Sequence, residues 1–149
     1  MKIVRVSERF QCHIGKGEWA LLTEILKLYP CITTSRHSGP AGGPDSSQNL
    51  LEEYLSEQRL ENKQRLRAFL ASRGQFEMTD KAWHFSVSIA ELEWLLQILN
   101  DVRVGSWMLL GSPDKELEWE SLEQPTARHF WAMEAAGHFE MQILFALKD

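Results

Sequence analysis

The sequence predicts an α+β fold, mostly helical: a helix bundle carrying a small antiparallel sheet. Three observations lead there. Residues 2–14 and 82–88 alternate apolar and polar side chains, the period-two pattern of half-buried strands. Longer stretches repeat apolar residues at helical spacing. One of them, Ser88–Gly111, is apolar around most of its circumference, and such a helix belongs at the centre of a domain.

Taken in order, Ile3, Val4 and Val6 begin an extended segment, Ser7-Glu8 can turn it, and Phe10, Cys12 and Ile14 alternate with polar residues. This predicts a hairpin. Glu18–Tyr29 then repeats Trp19, Leu22, Ile25, Leu26 and Tyr29 at helical spacing. Pro30 ends that helix by disfavouring helical geometry in the residue before it. Residues 33–49 are rich in Ser, Gly and Pro, cannot bury enough apolar surface to offset ordering entropy, and read as a mobile solvated linker. From Leu50 to Arg73 the chain is helical again, with apolar clusters at both ends and only Leu60 between them. Either one long helix crosses solvent in its middle, or two helices meet there, and Gly74 closes the segment.

Residues 82–88 predict a strand with Trp83, Phe85 and Val87 on one face and His84, Ser86 and Ser88 on the other, joined to the N-terminal hairpin. It runs directly into the central helix. Ser88 with Glu91 forms a capping box, in which hydroxyl and carboxylate satisfy free amide donors of the first turn. Gly111 can take the left-handed conformation that closes the helix, and Pro113 prevents its resumption. A mid-helix glycine is disfavoured, so the alternative is an end at Gly105 followed by a short extended piece, 106–110. After a charged connection, the last helix runs to Leu147, and Phe130, Met133, Gly137, Met141 and Leu144 are its expected buried stripe. Gly137 and Ala136 would let it approach the central helix closely.

The totals fit this picture. A chain of 149 residues suggests one domain, spanning 1–149 and long enough for a core without disulfides or metal. The net charge of -5 argues against general attraction to nucleic acid or anionic membrane. Glu91, Glu93, Asp101 and Arg103 put too much charge on the central helix for a membrane span. Cys12 and Cys31 have no metal-type spacing, and the first ten residues lack an apolar signal-peptide core, so the expectation is a cytoplasmic protein with reduced thiols.

Few residues suggest chemistry. Arg103 follows Leu96 by seven and Leu99 by four, so it projects from the apolar face and must be paired or reach water. It is either an anion binder or half of a structural ion pair, with Glu134 as the candidate partner. Asn100 and Asp101 sit mid-helix, where neither is favoured; they either bind backbone or side chains of a packed neighbour or form a polar strip continuing Glu93 and Gln97, and the strip is the favoured reading. Glu134 and His138, four apart, share a helix face; two ligands are too few for a metal, and neither metal nor cofactor is assigned. Cys12 and His13 face opposite ways on a strand and make no dyad. Arg59, Lys63 and Arg67 form a basic stripe, but Glu57 and Glu61 interleave, so a solvated face is favoured over a phosphate-binding one.

The run LNDVRVGSWMLLG resembles the signature region of a bacterial, mostly actinobacterial family known only as domain of unknown function 2017. Leu99, Asn100, Asp101 and Arg103 match its Leu-Asn-Asp-hydrophobic-Arg pattern inside a long apolar helix followed by glycine. The resemblance covers mainly Ser88–Gly111. It implies a small helical protein and, through association with components of protein turnover, an adaptor role.

Without catalytic motifs, and with six Trp, the leading expectation is a non-catalytic interaction protein, binding another protein or itself as a homodimer. The alternative is a small enzyme or anion-ligand-binding domain in which Arg103, Asn100, Asp101, Glu134 and His138 form the site.

Overall fold

A computed structural model of the chain describes residues 1–32, 46–72, 77–79, 81–118, 120, 122–124 and 126–148. The sheet is built from β1 (Lys2–Val6), β2 (Arg9–Gly15), β3 (Glu77–Met78) and β4 (Ala82–Ser88). Its order is β1-β2-β4-β3 and every pairing is antiparallel. The hairpin and β4 fall where alternation placed them; β3, two residues long, has no periodic signal of its own. Phe10, Cys12 and Ile14 on β2 and Phe85 and Val87 on β4 are buried on one face. Cys12 lies opposite Phe85, and His13 opposite His84 on the other face.

Four helices complete the described fold: α1 (Lys16–Leu26), α2 (Ser46–Ala71), α3 (Ile89–Leu109) and α4 (Thr126–Lys148). At the start of α1, Glu18 Oε2 accepts from the Gly15 backbone N–H at 3.1 Å. Its buried residues are Trp19, Leu22, Ile25 and Leu26. The 33–49 segment lies outside the described residues up to 45; its last four residues, 46–49, are the first turn of α2 rather than linker. Of the two possibilities for 50–73, the single long helix is the one found, and its expected stop, Gly74, lies outside the described residues. Asn62 ties α2 to the core, donating to Tyr29 Oη at 3.1 Å and accepting from Trp94 Nε1 at 3.0 Å. Leu66 is buried beside it, and the Phe69 ring stands edge-on to Trp94 at 6.0 Å.

The α3 helix is central. Leu92, Trp94, Leu95, Ile98, Leu99 and Val102 enter one cluster with the inner sheet face and with α1 and α4 residues. The predicted capping box is present: Ser88 Oγ accepts from Glu91 N at 3.2 Å, and the Ser88 backbone N–H donates to Glu91 Oε2 at 2.7 Å. Gly111 has φ +90 and ends the helix as expected. Gly105 does not end it. The glycine is required there because an added Cβ would collide with the Cβ of Cys31, in the segment that follows α1. Close packing, rather than chain reversal, explains this glycine.

The α4 helix packs along α3 but is rotated from the expected orientation. Its buried residues are Ala127, Ala132, Ala136, Phe139, Glu140 and Ile143. Met133, Gly137, Met141 and Leu144 are not the core stripe: Met141 and Leu144 are exposed. Two small residues one turn apart, Ala132 and Ala136, let the α3 and α4 backbones approach, and this decides the face. Among the described residues, no helix is long and apolar enough to cross a membrane.

Candidate functional site

The rotation of α4 builds the site. Glu140 turns inward and Arg103 reaches across from α3, so that Nε lies 2.6 Å from Glu140 Oε2. Arg103 Nη2 also donates to Asn100 Oδ1 at 3.2 Å, one turn back on α3. The ion pair expected with Glu134 is therefore made with Glu140, whose side chain is 11% exposed against 45% for Arg103. Arg103 is at the edge of the core rather than embedded in it. Burial pushes the Glu140 carboxyl up, and the adjacent guanidinium opposes that shift.

Beside this pair lies an open groove of about 660 Å³, lined by Arg103, Glu134, Gly137, His138, Met141 and Leu144, with Met133 and Glu140 completing it. Gly137 contributes no side chain, so the groove opens between Met133 and Met141, and a Cβ placed there would rest 3.5 Å from Arg103 Cδ. His138 is exposed, and its Nε2 lies 2.9 Å from Gln142 Nε2, its neighbour one turn on. Arg103, Glu134 and His138 thus meet at one place; Asn100 touches it only through Arg103.

Asp101 belongs elsewhere. Its Oδ1 accepts from the Cys31 backbone N–H at 3.2 Å, fastening the segment after α1 onto α3. It acts as a tether rather than part of a solvated polar strip. Burial raises its pKa, and the Cys31 hydrogen bond partly offsets this.

The groove, lined by both charged and apolar side chains, opens onto a larger apolar surface. Trp131, Met141, Leu144 and Phe145 are 54, 58, 53 and 64% exposed on the outward side of α4. Trp131 stands edge-on to Phe130, with ring centroids 5.7 Å apart. A second apolar strip lies on the first turns of α2, where Leu50, Leu51, Tyr54 and Leu55 are exposed.

Sequence reasoning missed three pairings. His13 and His84 face each other across β2 and β4, their Nδ1 atoms in contact and their rings 4.5 Å apart. Cross-strand register decides that meeting, and the two residues are far apart in the chain. The Asn62 bridge and the Cys31–Gly105 contact are likewise long-range. Only the mid-helix glycine carried a local signal. No group of three or more His, Cys, Asp or Glu among the described residues is arranged to hold a metal ion.

Comparison of the chain with family models, curated proteins and solved structures finds no match.

Proposed function

We propose that this chain is a non-catalytic interaction protein that docks another polypeptide on the outward face of α4, around the groove at Gly137. One observation carries the reading: Met141, Leu144 and Phe145 are each more than half exposed on a single helix face. The largest apolar patch of a monomer measures ~300–600 Å² and is often functional. At ~150–250 Å² for a large aromatic side chain, the exposed parts of these residues and Trp131 reach that range. The surface has the form used in helix-in-groove recognition, with apolar anchors a turn apart and a charged rim. Arg103 supplies that rim, already oriented by Glu140. Two free thiols, Cys12 and Cys31, agree with a cytoplasmic setting. The likeness of the Leu99–Arg103 run to an uncharacterised family supplies no activity and carries none of this reading.

A photo-crosslinking residue at Leu144 tests it in cells. The expected result is an adduct of discrete mass that disappears when Phe145→Glu is added. No adduct, or one indifferent to Phe145→Glu, overturns the reading.

The second reading, an anion-ligand site, draws on the position of Arg103 and His138 in one groove. Arg103 already spends two donors on Glu140 and Asn100. A ligand anion would also have to approach the Glu140 carboxylate, so the docking reading is the stronger. Titration with inorganic phosphate checks it: a saturable shift in melting temperature, lost in Arg103→Met, would support the ligand site.

A further inference from the structure

We propose that the polypeptide seated on this face is a second copy of the chain, the two α4 helices crossing antiparallel about a two-fold axis at Gly137 and His138. This rests on the reading of the α4 face as a docking surface and names its partner.

The spacing supports a helix–helix seam. Trp131, Glu134, His138, Met141 and Phe145 follow one another by three, four, three and four residues, the interval that keeps a seam facing one partner. Phe130, Gly137 and Leu144 run beside them at intervals of seven. Both rows lie on the side of α4 opposite the buried Ala132, Ala136, Phe139 and Ile143.

The face is complementary to itself in one orientation. A two-fold axis between positions 137 and 138 sets Trp131 beside the partner's Phe145 on one flank of the seam and Phe130 beside the partner's Leu144 on the other. Aromatic rings from one end of each helix then cover apolar side chains at the other end. The same operation brings Glu134 within one turn of the partner's His138, and symmetry makes that contact twice. A parallel arrangement would instead stack Glu134 on its own copy, and like charges directly opposed are destabilising. At the crossing point stands Gly137, and a residue without a side chain permits the closest approach of two helices, at interaxial distances of about 8 Å.

The area fits a weak dimer. The exposed fractions of Trp131, Met141, Leu144 and Phe145 give roughly 450 Å² per protomer, on ~150–250 Å² for a large side chain. With these four side chains fully covered, two protomers bury about 900 Å², the size of a weak, concentration-dependent association. An isologous contact of this kind closes on itself and does not propagate. The competing apolar strip, on the first turns of α2, is a poorer self-partner. Residues 46–58 carry Glu52, Glu53 and Glu57 and no basic residue, so two such segments laid together oppose like charges.

Light scattering after size exclusion is the first test, over micromolar to millimolar protein. The wild type is expected to approach twice the chain mass, and Phe145→Glu and Leu144→Glu to stay at the chain mass. Circular dichroism should not change, because both side chains are exposed in the single chain, and the melting temperature of the variants should lose the dependence on protein concentration that dimerisation gives the wild type. Orientation is read with a short bis-maleimide. His138→Cys is expected to crosslink to itself, as is a mixture of Trp131→Cys with Phe145→Cys chains. Trp131→Cys alone is expected not to, and the wild type, with Cys12 buried, is the control. A monomeric wild type, a dimer that survives both glutamate variants, or crosslinking of Trp131→Cys alone overturns the proposal. A monomer that still yields the Phe145-dependent adduct from Leu144 refutes self-association and leaves the docking face intact. A monomer with no adduct refutes both.

Discussion

Arg103 on α3 and Glu140 on α4 meet at 2.6 Å, a charged contact between the central helix and the helix packed along it. Glu140 is buried, whereas Arg103 reaches solvent along its outer edge. The pair therefore has a desolvated acid and a partly hydrated base. Removing the base harms more than removing both charges, because it leaves a carboxylate in the helix interface without its partner.

The first prediction follows from that asymmetry. Arg103→Met should lower stability by about 1–3 kcal/mol at neutral pH, the cost of leaving a buried acceptor unsatisfied. Burial raises the Glu140 pKa, so the native carboxyl takes up a proton at a higher pH than an unfolded one. Its contribution to stability is then fullest below the usual carboxylate range and declines as pH rises through the raised native value. Without the guanidinium this decline should steepen, and Glu140→Gln should abolish it. Urea unfolding of the three proteins from mildly acid to neutral pH checks this; equal slopes in all three would refute it.

Gly105 and Cys31 are in contact that no Cβ on residue 105 permits. Gly105→Ala should destabilise by about 1–3 kcal/mol, the usual cost of overpacking, even though alanine is the better helix former. Adding Cys31→Gly removes the obstructing Cβ and should recover part of the loss. A double-mutant cycle by chemical denaturation measures the coupling, and a Gly105→Ala variant as stable as wild type would contradict the packing.

Asn62 holds α2 through one bond to Tyr29 and one from Trp94. The Arg65 guanidinium lies over the Trp94 ring at 4.3 Å and adds to the same attachment. Asn62→Ala leaves the Trp94 indole N–H without its acceptor and should cost about 1–3 kcal/mol. Amide exchange in α2 should accelerate more than in α3, since α3 is secured independently by its cap and core contacts. Uniform acceleration across both helices would argue against a local anchor.

Burial pushes the Cys12 thiol up to about 12, and Cys31 is shifted the same way by burial. Thiolate is the reactive form, so a maleimide or disulfide reagent should leave Cys12 untouched in the folded protein. Half-buried Cys31 should react slowly and Cys12 only on unfolding. Peptide mapping after timed labelling decides this, and labelling of Cys12 at its rate in urea would refute the burial.

What could be read from the amino acids alone was local. The alternation of Phe10, Cys12 and Ile14, the same alternation in Phe85 and Val87, the Ser88–Glu91 cap and the Gly111 stop each depend on neighbours a few residues away. Strand faces and the two ends of α3 therefore came out of pattern and stereochemistry directly, whereas α1 stops at Leu26, short of the expected Tyr29, and α2 begins at Ser46, inside the expected linker. The α4 helix shows where that information ends. It is apolar on two sides, with Ala132, Ala136, Phe139 and Ile143 on one and Met133, Gly137, Met141 and Leu144 near the other. Both rows have helical spacing, and the larger side chains favoured the wrong one. Packing against α3 selected the row whose small residues allow the backbones to approach, and it brought Glu140 rather than Glu134 to Arg103. The row left outside became the exposed face and its groove, because a helix has only one side to give to the core.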